Sequence, residues 1–231
     1  MKIFLSLFGL FLLTPVYADL VITEVMSSSD HTDTAIDGDW WELTNTGATS
    51  VNLSGYSWDD ESNTPGLQVF GGINILSGES IILLNADTVS DVAAFRAAWN
   101  IPESTRIRRK AYFGNFPGFS GTSGDTIYLY DASNAVVDSW TFGAASDGQS
   151  FARFNDKSSV PGGVSVSGLY GATSSNESPA DQGSPGSASV LPPPTSPSFI
   201  LSDTTSWVAG VSIATSKFRV VATDLNPADS V

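Results

Sequence analysis

Three groups of residues in this chain have the types and spacing to do chemistry: a pair of glutamates, a cluster of aspartates and a run of aromatics. Glu24, within Val21-Ile22-Thr23-Glu24-Val25-Met26, and Glu42, within Trp40-Trp41-Glu42-Leu43, sit in runs that read as adjacent strands. Two carboxylates brought together could divide the work of acid and base. The favoured expectation is plainer: they accept turn hydrogen bonds or face solvent, because perturbed carboxylates also arise in structural networks. Asp30, Asp33, Asp37 and Asp39 crowd one loop, and Asp59, Asp60 and Glu61 crowd the next hairpin tip. Calcium takes roughly six to eight oxygen ligands, which makes the first group the candidate calcium set. Its spacing does not match an EF-hand loop, so solvated acidic loops are the favoured reading.

The third group is Tyr112-Phe113-Gly114-Asn115-Phe116-Pro117-Gly118-Phe119, four aromatics in eight residues broken by Gly and Pro. Loops carried on a rigid frame usually hold function, so Tyr112, Phe113, Phe116 and Phe119 are the candidate binding residues. The competing expectation is that Tyr112 and one or two of the phenylalanines plug the end of the core.

Several chemistries are excluded by inventory. With no cysteine, the chain has neither thiol nucleophile nor Cys-bound zinc. His31 is the sole histidine and lies in a polar loop, and no Gly-x-Ser-x-Gly elbow is present to support a Ser-His-Asp arrangement. Gly118-Phe119-Ser120-Gly121-Thr122-Ser123-Gly124 misses that spacing and reads as a flexible turn. No phosphate-cradling glycine loop followed by Lys is found. No catalytic residue and no cofactor are expected. A net charge of −14 repels nucleic-acid phosphates, whose binding needs clustered cations. The one basic cluster is Arg106, Arg108, Arg109 and Lys110; Arg106, Arg108 and Lys110 alternate along a strand and share a solvated face. The expected partner is therefore a protein or cell-surface ligand.

The elements that must position these residues are strands. Short β-branched and aromatic runs, separated by Gly, Asn, Asp and Ser, recur at 20–26, 40–46, 51–53, 56–59, 68–70, 80–84, 106–112, 126–130, 136–142 and 150–154. Asp131-Ala132-Ser133-Asn134 joins two of them as a hairpin turn. In the Trp40–Asn45 run, Trp41 and Leu43 share one face and are expected in the core with Tyr56 and Trp58. One helix is predicted after Asp87, with Ser90 as its N-cap and Val92, Phe95 and Trp99 on one face, covering an end of the sandwich.

Residues 1–18 have the layout of a secretory signal peptide: Lys2, an apolar run from Ile3 to Leu13 too short to span a bilayer, then Val16-Tyr17-Ala18. Residues 19–157 form the β domain. From 158 to 198 Ser, Gly, Pro and Ala dominate, as in a semi-rigid linker. Residues 199–231 regain strand character and read as a partial β segment, the start of a module cut short. The mature chain is expected outside the cytoplasm, secreted, periplasmic or at the cell surface, with no membrane span.

From Leu20 to about Arg153 the chain resembles the lamin tail domain family of the bacterial secreted type. The likeness rests on stretches in the family's order: Val21-Ile22-Thr23-Glu24-Val25-Met26, then Asp39-Trp40-Trp41-Glu42-Leu43-Thr44-Asn45-Thr46-Gly47, then Val51-Asn52-Leu53-Ser54-Gly55-Tyr56-Ser57-Trp58. Gly78-Glu79-Ser80-Ile81-Ile82-Leu83-Leu84, Gly124-Asp125-Thr126-Ile127-Tyr128-Leu129, Val136-Val137-Asp138-Ser139, Gly148-Gln149-Ser150-Phe151-Ala152-Arg153 and Ser184-Pro185-Gly186 continue it. The resemblance implies an all-β, immunoglobulin-like sandwich with one short helix, acting as a non-catalytic binding, adhesion or targeting module. The alternative it leaves open is an amino-terminal accessory domain of a secreted nuclease or phosphatase. A nuclear lamin role conflicts with the signal peptide, the absence of a coiled-coil rod and the acidic charge.

Overall fold

Residues 20–30 and 38–188 are described by the structure, a computed structural model. The strands are β1 (Leu20–Met26), β2 (Trp40–Asn45), β3 (Val51–Asn52), β4 (Ser57–Asp59), β5 (Gln68–Val69), β6 (Asn74–Ile75) and β7 (Ser80–Leu84). Helix α1 (Val89–Ala98) follows, then β8 (Arg106–Arg109), β9 (Asp125–Tyr130), β10 (Val136–Phe142), β11 (Phe151–Arg153), β12 (Ser159–Val164), β13 (Thr173–Ser174) and β14 (Gln182–Gly183). One sheet has the order β12-β11-β1-β2-β7-β8, and the sheet facing it has the order β10-β9-β4-β5. Two-stranded ladders β3-β6 and β13-β14 complete the frame. This is an all-β, immunoglobulin-like sandwich.

Between the sheets lies a core built from alternate residues: Leu20, Ile22 and Val25 of β1, Trp41 and Leu43 of β2, Ile81 and Leu83 of β7, and Ile127 and Leu129 of β9. Trp58 stands at its centre, its ring centroid 5.2 Å from Trp41, and half-buried Tyr56 packs against the cluster. The expected inward set of Trp41, Leu43, Tyr56 and Trp58 is the one observed.

The outer face of the six-stranded sheet is covered as well. β7 and β8 pair in parallel, so the chain needs a crossover between them, and α1 supplies it. The helix packs onto this outer face rather than on an end of the sandwich. Phe95 and Trp99 meet Trp40 edge-on at 6.1 Å, and Met26, Ile82, Leu84 and Ile107 fill the rest of this second core. Its N-cap is Thr88, two residues before the expected Ser90, because Thr88 and Asp91 form a reciprocal capping box.

β1 carries a bulge. Ile22 faces Leu43 and Glu24 faces Glu42, which leaves Thr23 as the extra residue and switches the inward positions from Leu20 and Ile22 to Val25. A bulge disturbs the ladder, and two buried side chains take up the backbone groups of Ile22. Asp138 accepts from the Ile22 amide at 2.9 Å, and the Arg153 guanidinium donates to the Ile22 carbonyl while pairing with Asp138.

Residues 158–188, expected as the first part of a linker, are instead built onto the sandwich: β12 pairs with β11, and β13-β14 close a further ladder. Ser165, Asp181 and Ser184 are buried. A small apolar cluster, Val160 and Tyr170 against Phe154, and many polar bonds order this segment together; the few apolar residues among Ser, Gly and Pro are why its composition resembles a spacer. Residues 1–19, 189–198 and 199–231, with the signal peptide, the rest of the linker and the partial β segment assigned to them, lie outside the described residues.

Candidate functional site

Glu24 and Glu42 face each other directly across the β1–β2 pair. Their side chains point to the outer face, where they are 1% and 0% exposed. Neither meets solvent, which corrects the solvent-facing half of the expectation; the other half holds, since both accept hydrogen bonds from amides of the turn at 184–187, which arrives from more than a hundred residues away in sequence. Glu24 Oε1 accepts from the Ser150 hydroxyl, from Ser165 Oγ at 3.1 Å and from the Ser184 amide at 2.8 Å. Its Oε2 accepts from Ser184 Oγ at 2.6 Å. Glu42 Oε1 accepts from Thr23 Oγ1 at 2.5 Å, and Oε2 accepts from the Gly186 amide at 2.7 Å.

Glycine is required where this segment lies closest. A Cβ on Gly183 would stand 2.8 Å from Glu24 Oε1, and one on Gly186, whose φ is +88°, would collide with the Thr105 side chain. Ser184-Pro185-Gly186 is thus the lid over both carboxylates.

Burial pushes both carboxyls up, since the charged form loses its water. For Glu24 burial opposes the hydrogen bonds from Ser150, Ser184 and Ser165 and prevails. Glu42 is pushed up to about 8, first by burial and then by the charge of Glu24. No Lys or Arg forms an ion pair with either among the described residues. Such a pair has the proton affinity of an acid catalyst, but its oxygens are engaged by the chain's own donors. Two surface depressions lie elsewhere, one bordered by Ala152, Val160 and Tyr170 and one along α1 by Val92, Arg96 and Asn100.

The aromatic loop is largely core. Phe113, Phe116 and Phe119 are buried, with Phe113 5.9 Å and Phe116 5.2 Å from the Trp58 ring, and Trp58 Nε1 donates to the Phe113 carbonyl. These three are therefore not a binding surface; they close the sandwich. Tyr112 alone stays out, at 47% exposure, with the Arg108 guanidinium 5.2 Å from its ring centre. The Gly71 amide donates to the Tyr112 carbonyl at 2.8 Å, and Gly114 fits so closely that a Cβ there would reach within 2.7 Å of Gln68 Oε1. The Tyr112 loop thus runs beside β5, whose Val69 is 48% exposed. Sequence reasoning missed Val69 because a two-residue edge strand carries no usable alternation.

Of the candidate calcium ligands, Asp33 and Asp37 lie outside the described residues, as does His31. Asp30 and Asp39 are both half-buried, and the Asp30 amide donates to Asp181 Oδ1 at 2.8 Å. Among the described residues no three His, Asp or Glu side chains converge as a metal set. At the other acidic tip, a hydrogen bond that the protonated Glu61 carboxyl donates to Asp125, and then the charge of Asp125, hold exposed Glu61 up to about 7. Two of the four basic side chains of the cluster are paired with acids. Arg106 pairs with Glu79, Lys110 with Asp87 at 2.8 Å, and Arg109 donates to the Asp87 carbonyl. Lys110 leaves the strand for a single 3-10 turn, so the face expected for Arg106, Arg108 and Lys110 is interrupted.

The model of the lamin tail domain matches residues 14–144, more than half of the chain. The chain belongs to the lamin tail domain family. No curated protein matches it. Glu24, Glu42, Trp58 and Tyr112 fall inside the lamin tail match, whereas Ser150, Arg153, Ser184 and Gly186 lie beyond it. The lamin tail domain of this chain is therefore completed by residues after the matched segment: β11 and β12 extend its sheet, and the 182–186 segment seals its carboxylates. Among the described residues, no helix is long and apolar enough to cross a membrane.

Proposed function

We propose that this lamin tail protein is a secreted, non-catalytic binding module that engages a protein or cell-surface ligand through the edge formed by Val69, Tyr112 and Arg108. The observation that carries the reading is the pair of half-exposed side chains, Val69 and Tyr112, on segments held side by side. Tyrosine and arginine are the residue types that anchor protein interfaces, since each offers a large contact area with a polar end. Fixing the backbone beforehand reduces the ordering cost of association. The non-catalytic part rests on Glu24 and Glu42, the carboxylates best suited to acid–base work, which are sealed and saturated by internal donors.

The test is retention of the fluorescently labelled full chain on the outer surface of the producing organism's own cells. Wild type should be retained, and Val69→Ser/Tyr112→Ser should lose at least about tenfold in affinity, the scale of an interface anchor, with an unchanged melting curve. Equal retention of the two proteins would overturn the assignment of the surface, and absence of wild-type retention would overturn the binding role.

A further inference from the structure

We infer that residues 182–188 form a proton-controlled strap: it stays closed over the outer face while Glu24 and Glu42 keep one proton between them, and it lifts when both are charged. The geometry has three parts. First, the two carboxylates are direct cross-strand partners, and like charges directly opposite each other destabilise a ladder. Second, the strap closes on both at once: Ser184 bonds Glu24 through its amide and hydroxyl, and Gly186 bonds Glu42 through its amide. Third, the strap is the element that keeps water from them, with Gly183 pressed against Glu24 and Trp40, and Gly186 against Thr105.

The charged groups of the surrounding elements do not compensate. Arg106 of β8 is committed to Glu79, Arg153 of β11 to Asp138, and Arg96 of α1 to Glu103 and the carbonyls of Pro102 and Thr105. Lys157, after β11, stands 3.3 Å from Asp138 Oδ1. At the foot of the strap Asp181 adds a further carboxylate, which accepts from Ser29 Oγ and the Asp30 amide. Glu24 and Glu42 are left with neutral donors, and for both of them burial outweighs those donors. A second charge therefore has one ready remedy, which is to let water in by moving the strap.

A route for the proton is present. Half-buried Ser80 lies 2.6 Å from Thr44 Oγ1, Thr44 lies 2.8 Å from Thr23 Oγ1, and Thr23 reaches Glu42. Each hydroxyl can donate and accept, so the row can reverse its direction when the proton leaves. That same freedom lets Gln replace Glu42 without orphaning a donor.

The experiment uses the full chain, whose lack of cysteine makes Ser187→Cys a unique site for a nitroxide spin label on the exposed end of the strap. Spectra are recorded from pH 6 to pH 10, with a second protein labelled through Ser133→Cys in the distant β9–β10 turn. The expected result is a mobile component at position 187 that grows to the majority of the spectrum with a midpoint near pH 8, while position 133 and the far-ultraviolet circular dichroism stay constant. With Glu42→Gln the position-187 spectrum should stay immobile throughout, and Glu24→Gln, a second way to remove one charge, should do the same. An unchanged wild-type spectrum would overturn the inference. So would a transition that survives in both Gln variants, which would assign it to another group such as Glu61, or one that appears simultaneously at position 133, which would mean general unfolding.

Discussion

Asp138 of β10 and Arg153 of β11 form a buried ion pair that joins the two sheets at the Thr23 bulge of β1. The pair does more than balance charge, because Asp138 receives the Ile22 amide and Arg153 serves the Ile22 carbonyl. Trp140 covers the guanidinium face at 4.8 Å. Burial lowers the proton affinity of Arg153, and the charge and hydrogen bond of Asp138 offset only part of that.

Removing one partner should therefore be costly. Arg153→Met leaves the Asp138 carboxylate buried with only half-exposed Lys157 as a cation, and breaking such a pair costs about 3–5 kcal/mol. Urea denaturation of Arg153→Met is expected to show a loss of that size. Arg153→Met/Asp138→Asn should recover part of it, since no charge is then stranded. A loss of under about 1 kcal/mol, the level of an exposed pair, would contradict this role.

The aromatic loop gives a second prediction. Phe116→Ser and Phe119→Ser each remove a ring from contact with Trp58, and emptying a buried Phe site costs about 3–5 kcal/mol. Tyr112→Ser should change stability by no more than about 0.5 kcal/mol, as for an ordinary surface substitution. Comparable melting temperatures for all three variants would place the phenylalanines on the surface after all.

Third, a chain cut after Lys157, the boundary suggested by composition, should fail to fold cooperatively. It loses Ser165, Ser184 and Gly186, and with them the donors and the cover of Glu24 and Glu42. A chain cut after Ala188 keeps these donors and should melt as a single transition. Equal folding of the two would show the 158–188 segment to be dispensable.

That boundary marks where the sequence stopped being legible. Alternation placed Trp41 and Leu43 inward correctly, because a period of two survives any loop length. The helix was legible but the face it covers was not, and the sealing of Glu24 and Glu42 was hidden because Ser184 and Gly186 are distant in sequence from the residues they cover. Ser, Gly and Pro are the residues of spacers, but a serine hydroxyl or a bare glycine amide is also the donor that a buried carboxylate needs. The Thr23 bulge likewise left no trace in composition. For Tyr112 through Phe119, the count of aromatics was informative and their direction was not: Trp58, on a separate strand, decides which rings turn inward.

The fourth prediction concerns pH. Both glutamates hold a proton more tightly in the folded chain than in the unfolded one, so the folded state binds more protons and stability falls as pH rises. For Glu42 the contribution is complete below its ordinary 4.5 and is lost on passing about 8. The urea midpoint of wild type should decline between pH 5 and pH 9, and Glu42→Gln should flatten that decline. A midpoint that rises over this window would reverse the sign and refute the assignment.

The central claim is that this lamin tail domain works through its surface while its carboxylates serve its structure. The most direct measurement compares the cell-surface binding isotherms of wild type, Glu42→Gln and Val69→Ser/Tyr112→Ser at pH 7. Wild type and Glu42→Gln should superimpose, and the double surface variant should fall away by about tenfold or more. A Glu42→Gln isotherm as weak as the surface variant's, or a surface variant that binds like wild type, would contradict the claim.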